Sequence, residues 1–120
     1  MEEPLTAQET AKRIIELAQE KKGQQIVLMD ISELSDFTDF FILISGDSSV
    51  QIKAITDHIE EGMRMAGVRY YQKEGYQTLK WVLMDYVDVV VHILSKEARE
   101  FYGIERLWAD AKMNFISEAV

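Results

Sequence analysis

Residues 81–94 read WVLMDYVDVVVHIL, and the pairing of this stretch with itself decides how the rest of the chain is read. It is long enough for two strands, yet contains neither glycine nor proline to turn them. With Tyr86 and Val87 as a two-residue turn, Asp85 lies opposite Asp88, Leu83 opposite Val90 and Trp81 opposite His92. Side chains alternate between the faces of a strand. One face of the hairpin then carries Val82, Met84, Val89, Val91 and Ile93, a purely apolar set suited to packing under helices. The other carries Leu79, Trp81, Leu83, Asp85, Asp88, Val90, His92 and Leu94. That second face is apolar enough to bind something, but its aspartates, imidazole and indole N–H require water or a polar partner. Tryptophan is also strongly enriched among the residues that dominate interfaces. The pattern suggests a docking surface; the competing reading is a face covered by the C-terminal segment or another chain, with Trp81 as a core aromatic.

Before the hairpin, TAQETAKRIIELAQEKKG reads as a helix with Ala7, Ala11, Ile14, Ile15 and Ala18 at helical spacing. Thr6 and Glu9 have the spacing of a capping box, and Gly23 suits the position just past the end. QIVLMDI, from Ile26 to Ile31, and DFFILIS, from Asp39 to Ser45, read as strands apolar enough to be covered on both faces. A polar loop joins them. A second helix begins after Ser48, with Ile52, Ile55, Ile59 and Met63 as its stripe and Gly67 as its stop. A short strand near Val68 to Tyr71 and a turn at KEGYQ precede the hairpin. SKEAREFYGIERLWADA closes the chain as a helix interrupted at Gly103. The order predicts one α/β domain spanning residues 1–120, a mixed sheet of about five strands flanked by helices.

The chain has 120 residues, enough for one core, and no cysteine, which excludes disulfides, thiol catalysis and zinc–thiolate sites. Neither a signal peptide nor an apolar run of membrane-spanning length is visible, so the expected location is the cytoplasm, with no membrane partner. Thirteen basic against twenty-one acidic side chains give a net charge of -8. Without a basic stripe to neutralise phosphates, no DNA partner is expected and direct RNA contact is minor at most. A basic protein, by contrast, would be steered in by the same field.

Motifs for chemistry are missing. His58 and His92 are the only histidines and neither has a zinc-site spacing. Asp85 and Asp88 merely flank a turn, and Asp30, Glu33, Asp36 and Asp39 form a solvated acidic rim rather than a metal site. ISGDSS, at a strand-to-helix junction, offers amides to a phosphate but lacks the Walker lysine and the fuller glycine pattern. No Asp-x-Asp or Asp-x-Glu is present for two-metal nucleotidyl transfer. The chain is therefore not expected to be an enzyme or to hold a cofactor or metal; a nucleotide- or phosphate-binding protein is the alternative.

Taken in order, DFTDFFILISGDSSVQIKAI, EGYQTLKWVLMDYVDVVVHIL and EAREFYGIERLWADA resemble the ribosomal silencing factor family, RsfS, also called Iojap. The resemblance implies a nucleotidyltransferase-like topology without the catalytic carboxylates. It also implies binding to the large ribosomal subunit through ribosomal protein fourteen of that subunit, a steric block to small-subunit joining, repression of translation and a part in large-subunit maturation. Carried onto this chain, the partner-binding residues are Leu79, Trp81, Leu83, Asp85 and His92, with Glu74, Lys80 and Tyr86 at the rim. A homodimer through the same face is a further expectation. Arg99, Tyr102 and Trp108 belong to the terminal motif, for packing or for contact. Val87 departs from the family's usual Asp-Tyr-Gly-Asp turn, where glycine would take the positive φ that a β-branched residue resists.

Overall fold

The structure is a computed structural model and describes residues 4–116. Helix α1 (Ala7–Glu20) leads into β1 (Gln24–Asp30), and a loop returns the chain as β2 (Phe40–Gly46). Helix α2 (Ser49–Met65) crosses over to β3 (Gln72–Glu74), β4 (Trp81–Asp85) and β5 (Val89–Ser95). Two short helices, α3 (Lys96–Tyr102) and α4 (Ile104–Leu107), precede β6 (Lys112–Phe115). The sheet order is β3-β4-β5-β2-β1-β6. Among the described residues only β2 and β5 run parallel; the remaining pairs are antiparallel. The sheet thus has six strands, the sixth being a C-terminal edge strand that the polar, short KMNF segment did not announce. The third strand falls at Gln72–Glu74, just beyond the expected Val68 to Tyr71.

Local chemistry starts both long helices. Thr6 Oγ1 accepts from the Glu9 N–H at 3.0 Å, and Glu9 Oε1 accepts from the Thr6 N–H at 2.9 Å, closing the capping box. Ser48 Oγ accepts from the Gln51 N–H at 3.1 Å, but the Gln51 side chain accepts instead from the Asp47 N–H and donates to the Lys22 carbonyl. It thereby ties α2 to the end of α1. The left-handed residue after α1 is Lys22, at φ 60, rather than Gly23. Gly23 is required for space, since a Cβ there would lie 2.8 Å from Ile44 Cγ2.

Helices α1 and α2 cover one face of the sheet. Ile14, Leu17, Ile52, Ile55 and Ile59 meet Ile42, Ile44, Val82, Met84, Val91 and Ile93, all at most 1 % exposed. The apolar hairpin face therefore packs where its alternation pointed. On the opposite face a smaller core joins Val27, Met29, Leu43 and Leu94 to Ile104, with Trp81, Ala98 and Trp108 packed against it. No helix among the described residues is long and apolar enough to cross a membrane.

Arg99 anchors that second layer. Its guanidinium donates to Glu105 Oε1 at 2.9 Å and Oε2 at 3.2 Å, to the Gln25 carbonyl at 2.5 Å and to Ser45 Oγ at 2.9 Å. The β1–β2 register shifts between Gln24 and Val27, and Gln25 stands at φ 48. This bulge turns a strand carbonyl out of the ladder, and the arginine fork satisfies it. One side chain so joins α3, α4, β1 and β2.

The hairpin register differs from the expected one. Trp81 faces Leu94, Leu83 faces His92, and Asp85 faces Val90. Val87 and Asp88 form the turn, closed by the Tyr86 N–H donating to the Val89 carbonyl at 2.8 Å. The Asp88 carbonyl accepts from the Asp39 and Phe40 N–H groups at 2.9 and 3.1 Å. That tertiary anchor at the start of β2 holds Asp88 in the turn. A slip of two residues preserves parity, so the faces of the paired residues survive, while Asp88 moves into the turn. Val87 sits at φ 74, and the Asp88 N–H returns to the Tyr86 carbonyl at 3.0 Å, a tight turn that is strained for a β-branched residue.

Replacing Val87 by Gly should raise the unfolding free energy by about 1 kcal/mol, because the positive φ no longer opposes a Cβ and the residue is exposed. Arg99→Ala should lower it by about 3 kcal/mol, leaving the Gln25 carbonyl and the Glu105 carboxylate without their shared donor. Chemical denaturation of the two variants beside the wild type measures both.

Candidate docking surface

Strands β4 and β5 turn Trp81, Leu83, Asp85, Val90, His92 and Leu94 away from α1 and α2. The upper part of this face is closed by a row of rings. Centroids are 4.8 Å apart from Tyr102 to Trp81, 5.8 Å from Trp81 to His92, 4.8 Å from His92 to Phe41 and 5.2 Å from Phe41 to Trp108. Helix α3 supplies Tyr102, and the turn after α4 supplies Trp108. The C-terminal segment thus covers half of the face, while Leu83, Asp85 and Val90 stay half-exposed on the other half.

Inside the row, the Trp81 indole N–H donates to His92 Nδ1 at 3.0 Å. The accepting role of Nδ1 assigns the imidazole proton to Nε2, which has no hydrogen-bond partner among the described residues. Burial pushes the His92 pKa down to about 4, so the ring is neutral at pH 7. His92 is partnered by Trp81 rather than by either aspartate, and the polar demand of the indole is met within the chain.

The open half is apolar with an acidic border. Phe37, Tyr71 and Val87 are 89 %, 76 % and 56 % exposed beside it. With Thr38, Asp85 and Val90 they line a hollow of about 350 Å³. Glu74 lies opposite Leu83 and Gln72 opposite Asp85, so β3 extends the same face outward. Asp36, Asp88 and Glu74 are exposed around it. At the other end, a cleft of about 980 Å³ separates the start of α2 from α3, lined by Asp47, Lys80, Trp81, Phe101 and Tyr102 among others.

Two of the expected residues face elsewhere. Tyr86, placed at the rim by the sequence, is 7 % exposed within the core under α1 and α2, because it precedes the turn on the Met84 side of the strand. Leu79, at φ 58 just before β4, packs against that same core and breaks the alternation that would carry it to the docking side. His92 is on the docking side but 5 % exposed. Lys80 and Glu74 are exposed, and Trp81, Leu83 and Asp85 are half-exposed. Sequence reasoning missed Phe37 and Tyr71. Phe37 is an aromatic inside the polar SELSDFTD loop, but its nearness to the hairpin turn is a long-range contact.

The remaining chemical candidates are structural. Arg99 is buried in its fork. At the start of α2 the Asp47 carboxylate accepts from Gln24 at 2.7 Å and pairs with Lys96 at 3.0 Å, placing negative charge where a phosphate would sit. Asp30 accepts from the Ser32 N–H and hydroxyl at 3.0 and 2.6 Å, a local turn at the head of the acidic loop.

The depressed His92 pKa fixes a pH dependence. The unfolded imidazole takes up a proton near pH 6.5 and the folded one only near pH 4, so stability is complete above pH 6.5 and falls as pH drops towards 4. Over that window the folded state should lose about 3 kcal/mol relative to a His92→Gln variant, in which nothing titrates there. Denaturation midpoints of both proteins at pH 7 and 4.5 test this; parallel losses would assign the acid sensitivity to other groups.

A crystal structure of a protein from Chromobacterium violaceum superposes with a TM-score of 0.86 at 35% sequence identity, covering 96% of this chain and 97% of that one. A ribosomal silencing factor RsfS from Halalkalibacterium halodurans is 34% identical over 89% of this chain and 92% of its own length. One from Chromobacterium violaceum is 37% identical over 90% of this chain and 88% of its own. The family model described as "Ribosomal silencing factor during starvation" matches residues 4–119, and the chain belongs to this RsfS family.

Proposed function

We propose that this protein binds the large ribosomal subunit through that subunit's ribosomal protein fourteen and, by occupying the surface, blocks joining of the small subunit and represses translation. Family membership gives the class of target. The observation that carries the surface assignment is the half-open sheet face, where an apolar floor of Leu83 and Val90 meets exposed Phe37 and Tyr71 inside an acidic border. Such a face matches a basic protein better than nucleic acid, with Asp85 and Glu74 as partners for arginine or lysine. Trp81 and Lys80 extend the contact towards the cleft beside α3. His92 acts through Trp81, whose indole it holds in place. The action is steric and requires no catalysis, cofactor or DNA, and its setting is the cytoplasm. Large-subunit maturation would use the same contact, and a homodimer through this face would store the protein with its apolar floor hidden.

Glu74→Lys combined with Tyr71→Ala should weaken binding to purified large subunits about tenfold, since both side chains are exposed at the border and their loss leaves the core intact. Sedimentation with separated subunits should show the wild type with the large subunit only, and fewer joined ribosomes in its presence. Binding unchanged in the double variant would move the docking surface elsewhere; wild-type protein sedimenting with neither subunit would overturn the ribosomal reading. Light scattering of the free protein tests the dimer.

A further inference from the structure

The outermost strand on the docking side has little of its own to hold it. β3 is three residues long and pairs only with β4, as Gln72 with Asp85, Lys73 with Met84 and Glu74 with Leu83. An edge strand this short is not stable on ladder hydrogen bonds alone. Alternation sends Gln72 and Glu74 to the docking face and Lys73 to the opposite one, beneath α2.

There the Lys73 ammonium is caged. Its Nζ lies 2.7 Å from Glu60 Oε1, 4.2 Å from the centroid of Tyr76 and 5.2 Å from that of Tyr70. The side chain is 18% exposed. The Tyr76 hydroxyl donates to Asp57 Oδ1 at 2.6 Å, and Lys53 holds the other carboxylate oxygen at 2.9 Å, so one wall of the cage is fixed to α2. A surface ion pair by itself contributes little, whereas a partly desolvated cation between two aromatic faces contributes substantially more.

We propose that Lys73 is a positioning residue for the docking face: its caged ammonium clamps β3 to α2 and so holds Gln72, Glu74 and the adjoining Tyr71 where the partner docks. The proposal rests on the docking reading above for its consequence, and on the cage alone for its cause. Lys73 touches no docking surface itself, so its replacement acts through the strand.

The test uses the full chain carrying Lys73→Met, which keeps the length and removes the charge, and Lys73→Arg, which keeps a cation that can pair and stack. Hydrogen exchange is read at the amides of residues 71–74 and, as an internal reference, in β2 and β5; binding is read on purified large subunits. In Lys73→Met, exchange at 71–74 should quicken about tenfold with the central strands unchanged, and affinity should fall by a similar factor; Lys73→Arg should recover most of both. Unchanged exchange, or faster exchange with wild-type affinity, would overturn the proposal. If Lys73→Met loses cooperative unfolding, Tyr70→Leu, which removes one wall of the cage, decides by the same two readings. Wild-type protein that does not bind large subunits would count against the docking reading, and the exchange measurement would still decide the clamp.

Discussion

The second layer of this fold hangs on the guanidinium of Arg99. A sheet covered by helices on one face only would leave Val27, Met29, Leu43 and Leu94 in water, and the helical turns that cover them are too short to hold themselves. Arg99 resolves this by joining its own helix to the Glu105 carboxylate, to a serine hydroxyl on the central strand and to the one carbonyl that the β1 bulge releases. The bulge and the arginine are complementary. Without the fork, the turned-out Gln25 carbonyl would be an unsatisfied acceptor; without the bulge, the fork would lack a backbone partner.

The extent of that layer sets how much of the face stays open. It runs over β1 and β2 as far as Met29, Ile31 and Phe41 and over the end of β5 at Leu94, and the row of rings from Tyr102 through Trp81, His92 and Phe41 to Trp108 marks its edge. Beyond that row, Leu83, Asp85 and Val90 on β4 and β5 are only half-buried. The C-terminal segment covers one half of the hairpin face, where Trp81 is partly a core aromatic, and the strand residues beyond it are left half-buried. Burial leaves the histidine at the boundary neutral, and the indole N–H donates to its Nδ1, so Trp81 is a held edge of the floor rather than a free side chain.

Electrostatics agree with this geometry. Asp36, Asp88 and Glu74 are exposed around the open floor, while Lys73 and Lys53 are engaged with Glu60 and Asp57 on α2. The chain as a whole carries a net charge of -8 and so a negative field. That field favours approach of a basic protein and opposes phosphate, and the carboxylate of Asp47 at the start of α2 does the same at the site where a nucleotide would otherwise be sought.

Short-range pattern was sufficient for much of this. The capping box at Thr6 and Glu9, the isoleucine stripe of α2, the doubly buried run of β2 and the two faces of the hairpin were all legible, because helix and strand periodicity is written within a few residues. The ordered motifs that resemble the RsfS family were legible for the same reason. What tertiary structure alone decided is the hairpin register, which Asp39 and Phe40 set by binding the Asp88 carbonyl from another strand. It also decided the packing of Tyr86 and Leu79 on the helix side, the pairing of the weakly β-like KMNF segment with β1, and the nearness of Phe37 and Tyr71 to the turn. Each of these depends on a partner distant in sequence, and a local pattern specifies which face is apolar but not which neighbour arrives to cover it.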